Sequence, residues 1–303
     1  MESILVVAVF ALVGAAAQFV DGSLGMGFGI TSATLLSLLG YSAVAASAGT
    51  HAAKMGTCLI SGMAHWRHGN VDWKILAAIG IPGGIGAFAG AVVLTNIAMG
   101  TAKVWMAGVL FILGISIIAR FGFNRSLLPQ IHVRTRNLWP VGLVGGFVDA
   151  TGGGGWGPVA TPSMFSLTKH EPYRIVGTVS AAEFVVAVCA SAGFLFGAAA
   201  EQVPWLAVAG LIAGGFVTAP FAAKLVRVLP RAAMGVLVGF MVLISNGATI
   251  MKFLGISGEV AGLIVLGMVI TAALIARYAH RKEQLGDNEM IDDLEQERVE
   301  PLA

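Results

Sequence analysis

Apolar positions in this chain run continuously for tens of residues instead of alternating. Stretches 22–53, 75–102, 104–119, 184–200, 202–223, 232–251 and 260–276 hold no Asp, Glu, Lys or Arg. Several reach the roughly 20 residues that a helix needs to cross the hydrocarbon core of a bilayer. The alternation of a transmembrane β-barrel is absent. The runs predict helical segments at about 3–39, 43–65, 74–97, 103–120, 139–167, 175–198, 205–223, 232–253 and 259–277. The first and fifth are broken by glycine clusters.

Those clusters are two copies of one motif. Phe19-Val-Asp-Gly-Ser-Leu-Gly-Met-Gly-Phe-Gly29 returns 128 residues later as Phe147-Val-Asp-Ala-Thr-Gly-Gly-Gly-Gly-Trp-Gly157, with six of eleven positions identical. Each copy sets a carboxylate and several glycines inside an apolar stretch. Broken backbone is tolerated there only where protein or a water-filled cavity surrounds it. Glycine-interrupted segments in matching places of two halves point to a transporter binding site. The likeness extends outward: Val13-Gly14 matches Val141-Gly142, and Gly49-Thr50 matches Gly177-Thr178. After small insertions Val71-x-Trp73 matches Val203-x-Trp205.

The predicted fold is all-α, a polytopic membrane protein of two inverted repeats with about four helical segments each. The first segment of each repeat is glycine-broken, either re-entrant or discontinuous, and one extra C-terminal helix is added. The boundaries fall at 1–125 for the first repeat, 126–138 for a basic cytoplasmic linker and 139–255 for the second repeat. Residues 256–280 form the added helix and 281–303 an acidic cytoplasmic tail.

Composition agrees: 57% of residues are hydrophobic, 11% are charged and the mean hydropathy is +0.85, against about 25% charge in a soluble domain. Met1-Glu2-Ser3 lacks a basic n-region, so the first segment is read as retained. Cys58 and Cys189 sit in apolar segments as small hydrophobes. Half of the sixteen acidic residues lie in the last 21 positions. That tail reads as a solvated end with a turn or two of helix around Met290, Ile291 and Leu294.

Charge also sets orientation, because short cytoplasmic loops collect Lys and Arg. Loops 66–74, 120–138, 168–174 and 224–231 and the start of the tail carry the basic residues, whereas loop 199–204 carries only Glu201. If segment 139–167 crossed once, three basic stretches would lie outside. If it enters and returns, all three lie inside and the C-terminus is cytoplasmic. Matching loops then fall on opposite sides, which makes the repeats inverted, a recurrent build of secondary transporters. This choice leaves Lys103 and Lys252 on the outer side.

The candidate chemistry gathers at the breaks. Gly25, Gly27 and Gly29, with Gly153, Gly155 and Gly157, can unwind a helix and bare N–H groups, and a half-helix beginning there turns its positive end toward an anion. Tight helix packing through small residues is the competing role. Asp21 and Asp149 precede the clusters, and an intramembrane carboxylate marks a pathway, relay or ion site. They can bind a coupling cation, exchange protons or cap the unwound backbone. Ser47, His51, Lys54 and Cys58 share one helical face, with Thr50 nearby and Thr178 as its repeat mate. A one-residue slide after Thr178 sets Lys54 opposite Glu183. Lys54 and Glu183 then either pair and hold the halves in register, or serve as anion attractor and proton carrier. Trp156 and Phe28 hold equivalent places, as gates, pocket walls or core.

At the doubled Phe-Val-Asp…Gly-x-Gly-x-Gly motif the chain resembles the TauE/SafE family of sulfite exporters. Gly22-Ser-Leu-Gly-Met-Gly-Phe-Gly29 and Gly152–Gly157-Pro158 carry the resemblance, which spans residues 1–280. The first copy departs from it at Leu24 and Met26, where glycine is frequent in the family. The resemblance implies movement of sulfite, organosulfonates or similar small organic anions across bacterial inner membranes. The residues themselves point to a small anion, carried by rocking of two inverted halves with Asp21, Asp149 and Glu183 as ion-coupling groups.

Alternatives are an anion channel, or a carrier for a small carboxylate or other non-sulfur anion. A channel would show rings of like charge, and an enzyme would need a nucleophile with its base or a metal cluster; neither pattern is present. No enzyme activity, cofactor, metal or nucleic-acid partner is expected. The expected partners are a small anionic substrate, the lipid bilayer and, as an open option, a second copy of the chain.

Overall fold

The computed structural model describes residues 2–24, 27–123, 134–168, 172–197, 200–225 and 231–299. Within them the chain forms helices and no strand. The first apolar run gives α1 (Glu2–Leu24) and α2 (Phe28–Leu38), followed by α3 (Ala43–Arg67), α4 (Trp73–Asn96) and α5 (Met99–Phe123). The fifth run gives α6 (Trp139–Gly152) and α7 (Trp156–Leu167), followed by α8 (Pro172–Phe196), α9 (Trp205–Leu225), α10 (Arg231–Phe253) and α11 (Gly258–Val299). Five of these helices contain a stretch long and apolar enough to cross a membrane.

Both breaks fall at the same place in the motif. α1 ends at Leu24 and α6 at Gly152, its counterpart; α2 begins at Phe28 and α7 at Trp156, again counterparts. A residue in the positive-φ region makes each turn possible: Gly27 at φ 134° in the first break and Gly153 at φ 77° in the second. Side chains other than glycine rarely adopt such angles.

Helix packing exchanges partners between the halves. α1 runs along α9, and its counterpart α6 runs along α4. α3 packs on α8, and α5 on α10. The two outer pairings match in detail. A methyl group on Gly14 would overlap the Leu211 backbone, and one on Gly142 would overlap the Ile79 backbone. Gly14 and Gly142 are repeat mates, and so are Ile79 and Leu211 by the Trp73–Trp205 register. Gly146 against Gly83 and Gly214 against Ala11 continue the two seams. Such small-residue contacts let backbones approach where lipid supplies no hydrophobic drive between helices.

One buried cluster runs through both halves, including Leu36, Ile79, Leu110, Trp156, Met164 and Leu211. α11 lies outside it. Ala272, Ala276 and Ala279 rest on Val236, Phe240 and Leu243 of α10, while most other residues between 258 and 282 face outward. The acidic tail differs from the expectation of one or two turns, since α11 continues unbroken to Val299. Its Glu, Gln, Lys, Arg and Leu content consists of good helix formers, and the preceding span already supplies the nucleus that a short isolated helix lacks. The basic linker lies mostly outside the described residues, where α5 ends at Phe123 and the chain resumes at 134.

Candidate functional site

The site forms where the second break meets the start of α2, just past the first break. A methyl group on Gly29 would lie 2.6 Å from the Cα of Gly154 and 3.3 Å from the Nζ of Lys54, and one on Gly154 would overlap the backbone of Gly29 and Ile30. The second break and the first turn of α2 therefore touch backbone to backbone, which no other residue type allows at Gly29 and Gly154. Lys54, from the middle of α3, reaches this crossing.

Each motif carboxylate folds back across its own break. Asp21 Oδ1 accepts the N–H of Phe28 at 3.1 Å. Asp149 Oδ1 accepts the N–H of Trp156, the counterpart of Phe28, at 2.9 Å, and that of Gly155 at 2.6 Å. A carboxylate at a helix start satisfies orphan donors and suits the positive end of the dipole. These are the N–H groups that the sequence offered to an anion, and here the protein's own carboxylates hold them.

Asp149 does more. Lys54 Nζ donates to both of its oxygens at 3.0 Å each and forms a 2.7 Å ion pair with Glu183 Oε1 on α8. Lys54 and Asp149 are almost wholly buried, whereas the Glu183 side chain keeps 21% of its exposure. His51 Nε2 lies 3.0 Å from Asp149 Oδ2 and its Nδ1 lies 2.8 Å from the Ser47 carbonyl oxygen. The Ser47 hydroxyl is spent on the carbonyl of Ala150 at the end of α6. Both ring nitrogens thus face acceptors, and a neutral imidazole has only one N–H. The His51 ring bridges the Ser47 carbonyl on its own helix and Asp149 on α6. Asp21 lies within electrostatic range of Lys54 and Glu183.

Of the residues singled out from sequence, Gly29, His51, Lys54, Asp149, Gly153, Gly155, Trp156 and Glu183 converge on or border this crossing. Trp156 is fully buried, and its indole N–H donates to the Val179 carbonyl at 3.0 Å. Gly27 ends the first break, and Gly157 lies in the first turn of α7. Thr50 is buried with its hydroxyl unpartnered. Thr178 is engaged elsewhere, accepting the N–H of Asp72 at 2.9 Å, while the Asp72 side chain caps α4. Gly25 lies outside the described residues. Two features escaped the sequence reading: the shared partnership of Lys54 and His51 with Asp149, and the contact of Gly29 with Gly154. Residues 51 and 54 share a face with Ser47, so one common acid was the available signal. No group of three or more His, Cys, Asp or Glu among the described residues has the arrangement of a metal site.

The comparisons with known proteins bear on the same region. A family model described as sulfite exporter TauE/SafE matches residues 10–249. The probable membrane transporter protein YtnM of Bacillus subtilis (strain 168) is 43% identical over 247 residues, covering 80% of this chain and 82% of that protein. YdhB of the same organism, also a probable membrane transporter protein, is 27% identical over 236 residues, covering 76% of this chain and 94% of that protein. No solved structure matches. The matched span takes in both glycine breaks and the helices that cross at them, and this chain, a membrane transporter, belongs to the TauE/SafE sulfite exporter family.

Proposed function

We propose that the protein is a secondary transporter that exports sulfite, organosulfonates or similar small anions across the inner membrane by alternating access coupled to protons. The observation that carries this reading is Lys54, buried where the second glycine break meets the start of α2 and neutralised there by Asp149 and Glu183. A buried charge of this kind is costly unless paired, and in a membrane protein it marks a pathway. The pairing has a chemical consequence. An anion can take the place of a carboxylate on Lys54 only if negative charge leaves the site, and a proton arriving at Glu183 removes it.

Glu183 is suited to that task because it alone of the two acids paired with Lys54 keeps exposure. Asp21 adds a further carboxylate within range of Lys54 and Glu183. The exchange of helix partners between the halves is what a two-fold relation produces. Together with the loop charges, it supports an inverted repeat with discontinuous first segments and a cytoplasmic C-terminus.

The test is counterflow in proteoliposomes with sulfite and small sulfonates and carboxylates, with and without a pH gradient. Gradient-driven exchange of sulfite or sulfonates is expected; exchange of none of them by folded protein would overturn the substrate class. Lys54→Ala should abolish saturable exchange and Lys54→Arg should partly spare it. Unchanged exchange in Lys54→Ala would leave the lysine a structural role only. Glu183→Gln should flatten the pH dependence of exchange, and an unaltered profile would remove Glu183 from the coupling.

A further inference from the structure

A cavity of about 50 Å³, with a mixed polar and apolar lining, lies between α2, α5 and α10. Thr34, Ser37, Ser245, Asn246 and Thr249 line it with hydroxyl and carboxamide groups, and Lys103 is the charged residue of its wall. The lining contains no carboxylate. Lys103 is exposed, whereas Asn246 is buried and reaches Thr34 Oγ1 at 3.4 Å. A volume of this size holds about three or four waters, comparable to one small oxyanion. Hydrogen-bond donors around a single cation, with no competing acid, select for negative charge.

The cavity also leads somewhere. Met106 forms part of its lining, and a methyl group on Gly153 would lie 3.0 Å from the Met106 Cε. One flexible thioether therefore separates the cavity from the second glycine break. Thr31, one turn below Thr34 on α2, is buried with its hydroxyl unpartnered, as are Ser32 and Thr50. Buried hydroxyls are normally satisfied, so the unpartnered Thr31 hydroxyl, one turn from the cavity-lining Thr34, is a polar group left over beside the cavity.

We propose that this cavity is the vestibule on the outer face of the transporter, where Lys103 and the surrounding hydroxyls take a small oxyanion before or after it passes Met106. The inference rests on the carrier reading for the transport arm of its test, and the labelling arm is independent of it. In the labelling arm, Thr249→Cys in the full chain is treated in membrane vesicles with anionic and cationic methanethiosulfonates. Modification at that residue is followed by mass spectrometry and normalised to a free thiol. The anionic reagent should react about fivefold faster, the factor that one nearby charge gives in a largely aqueous setting. The preference should vanish with Lys103→Gln, persist with Lys103→Arg and be slowed by methanesulfonate. Equal rates for both reagents, or a preference that survives Lys103→Gln, would overturn the assignment.

In the transport arm, Lys103→Gln should raise the KM for sulfite from the outer face several-fold with little change in maximal rate. An unchanged KM in protein that does carry sulfite would also overturn it. If the wild type carries none of the anions tried, the labelling result alone decides the vestibule and the transport result counts against the substrate class.

Discussion

The two glycine breaks start from nearly the same motif and end with different tasks. Both place an aspartate seven residues before the first amide of the following half-helix, and both aspartates accept that amide. The first break stops there among the described contacts. In the second, Asp149 also takes a second amide, a lysine and a histidine. The asymmetry arises from the partner helices. α3 sends Lys54 and His51 across to the second break, whereas at the matching place α8 offers Glu183, which lies in range of Asp21 as a like charge. A single change of sign between repeat mates thus turns one break into an ion-paired scaffold and leaves the other short of positive charge. Near-symmetry shapes both breaks alike, and the change of sign decides which carboxylate is paired with the buried lysine.

Removal of each cap tests this contrast most severely. Asp149→Ala should cost about 3–5 kcal/mol, because it removes one of the two carboxylates on buried Lys54 and the acceptor of His51 and two amides, while Asp21→Ala should cost about 1 kcal/mol, the worth of a cap. Thermal unfolding of the purified variants would measure both, and equal losses would erase the distinction between the breaks. The seams test the part that remains symmetric. Gly14→Ala and Gly142→Ala should each lose about 1–3 kcal/mol through forced backbone separation, and they should do so alike; a large inequality would break the equivalence of α1–α9 with α4–α6. A further test is Trp156→Phe, which makes the second break resemble the first at that position. It removes one buried hydrogen bond to Val179 and should cost about 1–2 kcal/mol, with exchange activity retained.

Much of this architecture was legible in the residues. Apolar runs mark helices because lipid forbids unpaired backbone, so the predicted segments match helices or broken helix pairs within a few residues, except that α11 runs on to Val299. The glycine clusters located both breaks, since an aspartate and consecutive glycines have no reason to recur in hydrocarbon without a shared geometry. Pairing was harder to read. Lys54 could be set opposite Glu183 from the repeat register, but its contact with Asp149 depends on how α3 crosses α6, and periodicity carries no information about crossing. The role of Gly154 was hidden for the same reason, because a glycine needed for a contact between distant backbones looks like any other glycine in a run of four. Thr178 matched Thr50 in register yet serves the amide of Asp72, since small insertions between the repeats change what stands beside each threonine.

The exchanged packing of α1 on α9 and α6 on α4 separates the history of the chain from its mechanics. A duplicated sequence invites the picture of two jaws, residues 1–125 closing on 139–255. The seams cut across that picture, for such a swing would part Gly14 from Leu211 and Gly142 from Ile79, contacts with no side chain to stretch. The units that the seams bind are composites, α1 with α9 and α4 with α6 and α8, each assembled from both halves. The boundaries between tightly packed units therefore do not fall where the two copies of the motif are joined along the chain.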